Sequence, residues 1–151
     1  CENNRYAMGT SLAREHAQTD LALRAASYGL TSWPVDGMDV HAVRDATRAA
    51  VEAIRAGAGP HFLEVLTYRF RAHSMYDSDR YRDKAEIAAW KERDPITSFT
   101  AHLREDGLLD ADTLAALEAE VAHELDEAVA FAEDAAVEPV ESLTRHVYSE
   151  R

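Results

Sequence analysis

Several residue types are scarce in this sequence of 151 residues, and each scarcity excludes a class of protein. Its one cysteine, Cys1, cannot form an internal disulfide, which excludes a disulfide-stabilised fold. The 16 lysines and arginines are outnumbered by 28 aspartates and glutamates, and a net charge of −12 argues against sequence-independent binding of nucleic acid, which needs cationic contacts to phosphates. No apolar run approaches the ~20 residues of a membrane span, and no charged-then-apolar leader opens the sequence. We therefore expect a soluble, intracellular protein.

Common signatures of catalytic and nucleotide-binding sites are also missing. The seven histidines include no pair spaced as H-x-x-x-H, and neither C-x-x-C nor G-x-S-x-G occurs, so neither a zinc site nor a hydrolase triad is expected. The six glycines are scattered and form no G-x-G-x-x-G phosphate loop.

The first 70 residues alternate between helix and strand patterns after a loop-like stretch over residues 1–16. The periodicity predicts helices over 21–28 and 40–56 and strands over 32–35 and 62–68. Pro34 confines the first of these strands to a sheet edge. Such alternation is typical of an α/β fold.

The second half combines a long polar loop over residues 69–82 with predicted helices. The pattern predicts helices over 84–92, 95–104 and 111–135 and a short final strand over 143–148. Residues 110–141 carry eleven acidic residues and no lysine or arginine. This pattern is typical of a solvated helix face, with a docking face for a basic partner as the alternative.

Asn3 and Asn4 form a candidate cation site. Side-chain amides and backbone carbonyls supply the oxygen ligands that a hard cation such as Mg²⁺ prefers. An Asn-Asn pair is also a common turn, because asparagine side chains hydrogen-bond their own backbone. Local chemistry leaves both interpretations open.

His73 and Ser74 lie within the polar loop, which also carries the arginines Arg69, Arg71, Arg80 and Arg82. A histidine there can donate a hydrogen bond to a phosphate or carry a proton near pH 7. The serine is a candidate phosphorylation acceptor, and the arginines favour a phosphate ligand. An ordinary surface loop explains the same residues.

Five segments, in their order and spacing, resemble the α subunits of thiamine-diphosphate-dependent 2-oxoacid dehydrogenases. They are CENNRYAMGTS at 1–11, VDGMDVHAVRDA at 35–46, GPHFLEVLTYRFRAHSM at 59–75, YR at 81–82 and RDPI at 93–96. MGTS at 8–11, Met38 and HSM at 73–75 resemble the pyruvate enzymes more than the branched-chain or acetoin relatives. The resemblance covers essentially the whole chain, which would form the C-terminal part, under half, of such a subunit.

The resemblance implies an α/β fold, namely the C-terminal half of a parallel-sheet thiamine-diphosphate-binding domain followed by a helical extension. Residues 1–70 would be the second half of that domain. Residues 71–82 would be an active-site loop near the cofactor's phosphates, and residues 83–151 the helical extension with its short final strand.

The resemblance also implies roles for four residues. Asn4 would give its side-chain oxygen, and Tyr6 its backbone carbonyl, to the Mg²⁺ that holds the cofactor's diphosphate, so both are metal and cofactor ligands. His73 would approach the diphosphate at the active-site entrance as a cofactor-binding and catalytic residue. Ser74 would be the serine that regulatory kinases phosphorylate.

The implied activity is that of pyruvate dehydrogenase (acetyl-transferring): oxidative decarboxylation of pyruvate with thiamine diphosphate and Mg²⁺, and acetyl transfer to a lipoyl group, between glycolysis and the citric acid cycle. The implied partners are the rest of the α subunit, a β subunit in an α2β2 heterotetramer and the lipoyl-bearing dihydrolipoamide acyltransferase of a multienzyme complex, with neither nucleic acid nor membrane. The expected location is the bacterial cytoplasm, or the mitochondrial matrix of a eukaryote. The alternatives are a branched-chain 2-oxoacid or acetoin enzyme, or a catalytically silent fragment that serves subunit assembly.

The sequence departs from the family pattern at several points. Ala7 and Ala72 stand where many relatives have glycine, and either would be strained if its φ were positive. Arg80 stands about where mitochondrial relatives have a second phosphorylatable serine, which argues against a kinase-regulated enzyme and favours a bacterial one. The Gly-Asp-Gly half of the thiamine motif is absent from this sequence, so the implied Mg²⁺ site lacks its aspartate. The family's activating carboxylate comes from the β subunit, and we expect this chain alone to be catalytically silent.

Overall fold

The computed structural model describes residues 1–149, which divide into two compact units, 1–106 and 107–149. The first unit contains, in chain order, β1 (Glu2–Asn3), β2 (Tyr6–Ala7), β3 (Thr10–Ser11), α1 (Leu12–Glu15), α2 (Leu21–Ala26), β4 (Thr31–Asp36), α3 (Val40–Arg55), β5 (His61–Leu66), α4 (Lys84–Lys91) and α5 (Pro95–Glu105). The second contains α6 (Ala111–Asp134) and a 3-10 turn (Val140–Ser142). No helix within residues 1–149 combines the length and the apolar character needed to cross a membrane.

A three-stranded parallel sheet organises the first unit, in the order β1–β5–β4. β5, rich in β-forming residues, is the middle strand and pairs with β4 from Thr31 opposite His61 to Asp36 opposite Leu66. Within this sheet β4 is an edge strand, as Pro34 predicted, because proline has no N–H to donate to a second neighbour. The parallel sheet with its helices confirms the α/β fold class.

Two helices pack against β4 and β5, and both begin at aspartate caps. The Asp20 carboxylate accepts a hydrogen bond from Leu23 N at 2.7 Å, and the Asp39 carboxylate accepts one from Ala42 N at 3.1 Å. These bonds satisfy N–H groups that have no partner within the helix, which explains why α2 and α3 start where the sequence predicts. α2 ends at Ala26, slightly before the predicted position.

The core of the first unit is formed by Ala22, Ala25, Val35, Met38, Ala50 and Tyr68. Three polar residues are buried with them: Asn3, Glu64 and Arg82. Buried polar groups require hydrogen-bond partners, and all three have them: Asn3 bonds to Glu64, Glu64 also to Ala22 N in α2, and Arg82 to Asp79 and the Arg69 carbonyl.

A short antiparallel hairpin, β2–β3, follows β1 where the sequence indicated only a loop. Ala7 pairs with Thr10 across a two-residue turn. The left-handed backbone conformation falls on Arg5, with φ of 71°, and on Met8, with φ of 53°. Neither Ala7 nor Ala72 has a positive φ, so the strain considered for these alanines does not arise.

The polar loop predicted over 69–82 contains neither helix nor strand and joins β5 to α4. α4 and α5 begin at Asp83 and Asp94, whose carboxylates each accept a hydrogen bond from a first-turn N–H at 2.9 Å. Pro95 occupies the first turn of α5, where its missing N–H has no consequence.

The second unit consists mainly of α6, which begins after its cap Asp110 and ends one residue before the predicted position. The short final strand predicted over 143–148 is wrong, because turns and bends occupy this segment. A strand needs a neighbour for its backbone groups, and no described residue pairs with this segment. His146, with φ of 61°, also interrupts any extended path.

Candidate functional site

The carboxyl ends of the three parallel strands meet at one edge of the sheet, beside a cavity of about 520 Å³. Its lining residues are Glu2, Asn4, Gly37, Val43, Val65, Thr67, Tyr68 and Arg69. Ligands of open α/β sheets bind at this edge, where the loops after the strands converge. The edge therefore brings the candidate ligand Asn4 and the loop residue Arg69 to one cavity.

Gly37, directly after β4, allows the strand ends to approach each other. Its N–H donates to the Leu66 carbonyl at 2.7 Å. A Cβ atom at this position would lie 2.7 Å from both that carbonyl oxygen and Val65 Cγ1, distances that real Cβ atoms essentially never show. Glycine is therefore required here for steric reasons, and its φ is not in the left-handed region.

Two consecutive side-chain-to-backbone turns shape the segment after β1. Asn3 Oδ1 accepts a hydrogen bond from Arg5 N at 3.0 Å, and Asn4 Oδ1 accepts one from Tyr6 N at 3.1 Å. The Asn-Asn pair thus forms a turn. An amide oxygen has two lone pairs, so Asn4 Oδ1 retains a position at which it can bind a cation.

A small cavity of about 30 Å³ brings three of the candidate site residues together. Its lining residues are Asn4, Tyr6, Met8, Arg69, Arg71, His73, Tyr81 and Arg82. The lining includes three arginines and a histidine but no acidic residue, although the chain as a whole is strongly acidic. This composition suits an anion. Ser74, the fourth candidate, is exposed and outside this lining.

The loop around His73 is held by hydrogen bonds to its backbone. The Asp77 carboxylate accepts from His73 N at 3.1 Å, from the Tyr81 hydroxyl at 2.7 Å and from Asp79 N at 2.9 Å. These bonds, the one from Tyr81 above all, lower the pKa of Asp77, because they stabilise the ionised carboxylate. The Arg69 guanidinium donates to the His73 carbonyl at 3.1 Å, so His73 is held from both sides.

Arg82 anchors the other end of the loop and is 8% exposed. Its guanidinium donates two hydrogen bonds to the Asp79 carboxylate, at 2.6 and 2.8 Å, and one to the Arg69 carbonyl at 2.5 Å. Paired, bidentate geometry of this kind is the strongest arrangement that arginine makes with a carboxylate. The hydrogen bond to Asp79 raises the pKa of Arg82, and the guanidinium also lies over three aromatic rings, those of Tyr6, Tyr68 and Tyr81.

Tyr6 connects the strand-end segment to α4. Its hydroxyl donates to Glu86 Oε2 at 2.9 Å, and its ring lies edge-on to Tyr68 at 6.3 Å between centroids. Burial, followed by the bond to Glu86, raises the pKa of Tyr6 to about 12. Tyr68 in turn stacks on Trp90 of α4, with centroids 5.2 Å apart and planes 5° apart. The aromatic residues therefore hold the cofactor-ligand candidate Tyr6 in a fixed place.

Residues 1–149 contain no group of three or more histidine, cysteine, aspartate or glutamate side chains that could hold a metal. Asn4 and the Tyr6 carbonyl can supply two neutral oxygen ligands. Mg²⁺ in proteins usually takes one or two carboxylates besides, together with water and substrate phosphates. The donor set therefore fits part of an Mg²⁺ site, and neither of these two residues supplies a carboxylate.

Sequence reasoning did not place Glu64, Asp77 or Glu86 at the site, although their contacts organise it. Asp77 acts by accepting a hydrogen bond from Tyr81, and Glu86 by accepting one from Tyr6. These contacts depend on how the loop and α4 fold, so no local sequence pattern marks either acid as a site residue. Glu64 did carry a signal, because it is a lone charge inside the buried run FLEVL.

Comparison with known proteins identifies similar sequences along nearly the whole chain. The family described as "Dehydrogenase E1 component" matches residues 1–141. A protein of Rhizobium meliloti (strain 1021) named "Pyruvate dehydrogenase E1 component subunit alpha" is 50% identical over 121 residues, covering 80% of this chain and 35% of that protein. A protein of the same name from Zymomonas mobilis is 42% identical over 147 residues, covering 97% of this chain and 41% of that protein.

A mitochondrial relative has a sequence identity between those of the two bacterial proteins. The "Pyruvate dehydrogenase E1 component subunit alpha type II, mitochondrial" of Ascaris suum is 45% identical over 150 residues, covering 98% of this chain and 38% of that protein. The chain thus spans well under half the length of each of these relatives.

Proposed function

Because the chain belongs to the dehydrogenase E1 component family, we propose that it is part of the α subunit of a thiamine-diphosphate-dependent pyruvate dehydrogenase. The relatives named above carry that subunit's name, in bacteria and in a mitochondrion. The observation that carries the proposal furthest is the convergence of Asn4, Tyr6 and His73 on one cavity rich in arginine. These residues come from two separate segments of the sequence.

Thiamine diphosphate, when bound, supplies the carbanion chemistry that decarboxylates a 2-oxoacid. The residues of this chain bind and orient it. Asn4 would give its side-chain oxygen, and Tyr6 its backbone carbonyl, to the Mg²⁺ that accompanies the diphosphate. Arg69 and Arg71 add positive charge at the same place, which stabilises the phosphate oxygens.

With the cofactor bound, His73 would donate a ring N–H to a phosphate oxygen at the entrance of the site. Its backbone is already held by Asp77 and Arg69, so the ring is presented without further ordering of the chain. Ser74 is exposed on the same loop, where a kinase could reach it. About −1.5 to −2 charges there would repel the cofactor's own phosphates and inhibit the enzyme.

The complete enzyme needs partners. A β subunit supplies the carboxylate that activates the cofactor, in an α2β2 assembly, and a lipoyl-bearing acyltransferase accepts the acetyl group. The rest of the α subunit supplies the acidic Mg²⁺ ligand, the aspartate of the Gly-Asp-Gly motif that this sequence lacks. These partners explain how a chain with an incomplete metal site takes part in catalysis.

The proposal is tested on the intact two-subunit enzyme. Pyruvate, 4-methyl-2-oxopentanoate and acetoin are compared as substrates, and Mg²⁺-dependent binding of thiamine diphosphate is followed by tryptophan fluorescence. We expect pyruvate to have the highest kcat/KM, and Asn4→Ala to weaken binding about tenfold or more. Ser78→Ala, an exposed change in the same loop, is the matched control. Normal cofactor binding by Asn4→Ala, or preference for another substrate, would contradict the proposal.

A further inference from the structure

Glu64 is a buried carboxylate in the middle strand of the sheet, 3% exposed. Its Oε1 accepts a hydrogen bond from Asn3 Nδ2 at 2.7 Å, and its Oε2 accepts one from Ala22 N, in the first turn of α2, at 2.9 Å. Among residues 1–149 no lysine or arginine pairs with it. A buried charge is costly unless its hydrogen bonds compensate, so an apolar residue would serve better if only packing were needed.

The contacts of Asn3 show what the charge accomplishes. Asn3 is 7% exposed, and its Oδ1 accepts from Arg5 N at 3.0 Å. A carboxylate can only accept hydrogen bonds, so Glu64 forces the NH₂ group of Asn3 towards itself and the oxygen towards Arg5. Glu64 and the Arg5 N–H together therefore set the orientation of the Asn3 amide.

This orientation matters because Arg5 has φ of 71°, a conformation that residues other than glycine adopt rarely. The hydrogen bond from Arg5 N to the buried Asn3 Oδ1 stabilises the backbone of this turn. The Arg5 side chain makes a separate contact, with its guanidinium 5.1 Å from the centroid of the Trp90 ring. Asn4 and Tyr6 flank Arg5, so the direction of their oxygen ligands depends on the turn.

We propose that Glu64 is a positioning residue, which acts through Asn3 to aim the oxygen ligands of Asn4 and Tyr6 at the metal. The inference rests on the proposed function, since it assigns Glu64 to the same cofactor site. A purely structural alternative is that Glu64 only fastens α2 to the sheet through Ala22.

Single substitutions and their combination separate these roles. Glu64→Gln directs an NH₂ group at either the Asn3 NH₂ or the Ala22 N–H, so one donor faces another donor. Asn3→Asp places a second carboxylate beside Glu64.

The double variant, Asn3→Asp with Glu64→Gln, exchanges the donor and the acceptor. The new amide group at position 64 donates to the new carboxylate at position 3, whose other oxygen still accepts from Arg5 N. The amide oxygen at position 64 accepts from Ala22 N. Every hydrogen bond of the parent protein is therefore restored with the two chemical groups interchanged.

The matched control is Ser32→Ala. Ser32 Oγ donates to the Ala22 carbonyl at 2.6 Å, so this change loosens the same helix without touching Asn3. Asn3→Ala is a second test, which breaks the link to Arg5 while Glu64 retains its bond to α2. It keeps the inference falsifiable should Glu64→Gln fail to fold.

Two quantities are measured in the intact two-subunit protein: the dissociation constant of Mg²⁺ in the presence of thiamine diphosphate, and amide hydrogen exchange at Arg5 and Tyr6 without cofactor. We expect each single change at Glu64 or Asn3 to weaken Mg²⁺ binding about tenfold or more and to speed exchange at Arg5. The double variant should return to within about threefold of the parent protein, because its hydrogen bonds are restored. Ser32→Ala should lower the melting temperature only.

The inference is overturned if the single variants lose stability as Ser32→Ala does but bind Mg²⁺ normally. It is also overturned if a folded double variant shows no recovery. Should the parent protein itself fail to bind thiamine diphosphate, the proposed function fails instead. Amide exchange at Arg5 and Tyr6 then decides the positioning role alone, with unchanged exchange in Asn3→Ala refuting it.

Discussion

Replacing Gly37 by alanine tests whether the close approach of the strand ends sets the shape of the site. The new Cβ would lie 2.7 Å from the Leu66 carbonyl oxygen and 2.7 Å from Val65 Cγ1. The valine methyl can rotate away, but the carbonyl belongs to the backbone of the middle strand. Because the same oxygen accepts the Gly37 N–H bond at 2.7 Å, the clash and the loss of that bond occur together.

The size of the effect follows from these contacts. Overpacking of this kind costs about 1–3 kcal/mol, and weakening the hydrogen bond adds about 0.5–1.5 kcal/mol. Alanine has less backbone conformational entropy than glycine in the unfolded chain, and this difference stabilises the folded state by about 0.4–1 kcal/mol. We expect a net loss of about 0.5–4 kcal/mol in the free energy of unfolding. We also expect weaker binding of thiamine diphosphate, because Gly37 and Val65 line the larger cavity.

Urea denaturation and cofactor titration of the intact protein measure both effects. Gly9→Ala is the matched control, because Gly9 also lacks a positive φ and its added Cβ would meet the Tyr81 ring at an ordinary 3.5 Å. Equal stability and equal cofactor affinity in the two variants would refute the steric reasoning. A loss of stability in Gly9→Ala as large as that in Gly37→Ala would refute it too.

Three further predictions concern the loop and the hairpin. Arg82→Lys removes the bidentate pair that anchors the loop, so limited proteolysis within residues 73–80 should accelerate, whereas Arg80→Lys, an exposed change, should leave the cleavage rate unaltered. The pKa of Asp77 is lowered in the folded protein, so the stabilisation from its hydrogen bonds is complete above the unfolded pKa of about 3.9 and is lost as the pH falls through the lower folded pKa. In hydrogen exchange, the protection of the loop amides should therefore decrease in acid. Asp77→Asn should remove this pH dependence. Met8→Asn should raise the melting temperature because asparagine tolerates φ of 53°, and Ala7→Gly should lower it because that position needs no left-handed conformation. Faster proteolysis of Arg80→Lys than of Arg82→Lys, retained acid sensitivity in Asp77→Asn, or a less stable Met8→Asn would each contradict these arguments.

Local rules accounted for most of the fold. Five predicted helices begin after an aspartate, because a short carboxylate reaches the N–H groups of the first turn. β1 escaped prediction because its two residues form a strand only by pairing with the distant end of β5. The strand predicted over 143–148 failed for the converse reason, since its β-forming residues have no neighbouring strand among those described.

The candidate site was predictable only in part, and only because five sequence segments occur in the order and spacing of a known family. Asn4 and His73 have no informative spacing, yet the parallel sheet brings the ends of β1 and β5 to the same edge and thereby both residues to one cavity. The groups that hold them, such as Asp77 and Glu64, act across distances that periodicity does not encode. A buried acid within an apolar strand is nevertheless a usable signal, because its desolvation must be compensated.

The three arginines at the small cavity differ in what they can contribute to anion binding. Arg82 is neutralised by its bidentate pair with Asp79 and is nearly buried, so its role is to hold the loop. Arg69 donates to the His73 carbonyl, a neutral acceptor, and among residues 1–149 no carboxylate pairs with either Arg69 or Arg71. Their two positive charges therefore remain for a ligand. Replacing Arg82 should therefore disorder the loop, and any effect on anion binding should follow from that disorder. Replacing Arg71 should weaken anion binding directly, and the loss should become smaller as the ionic strength rises.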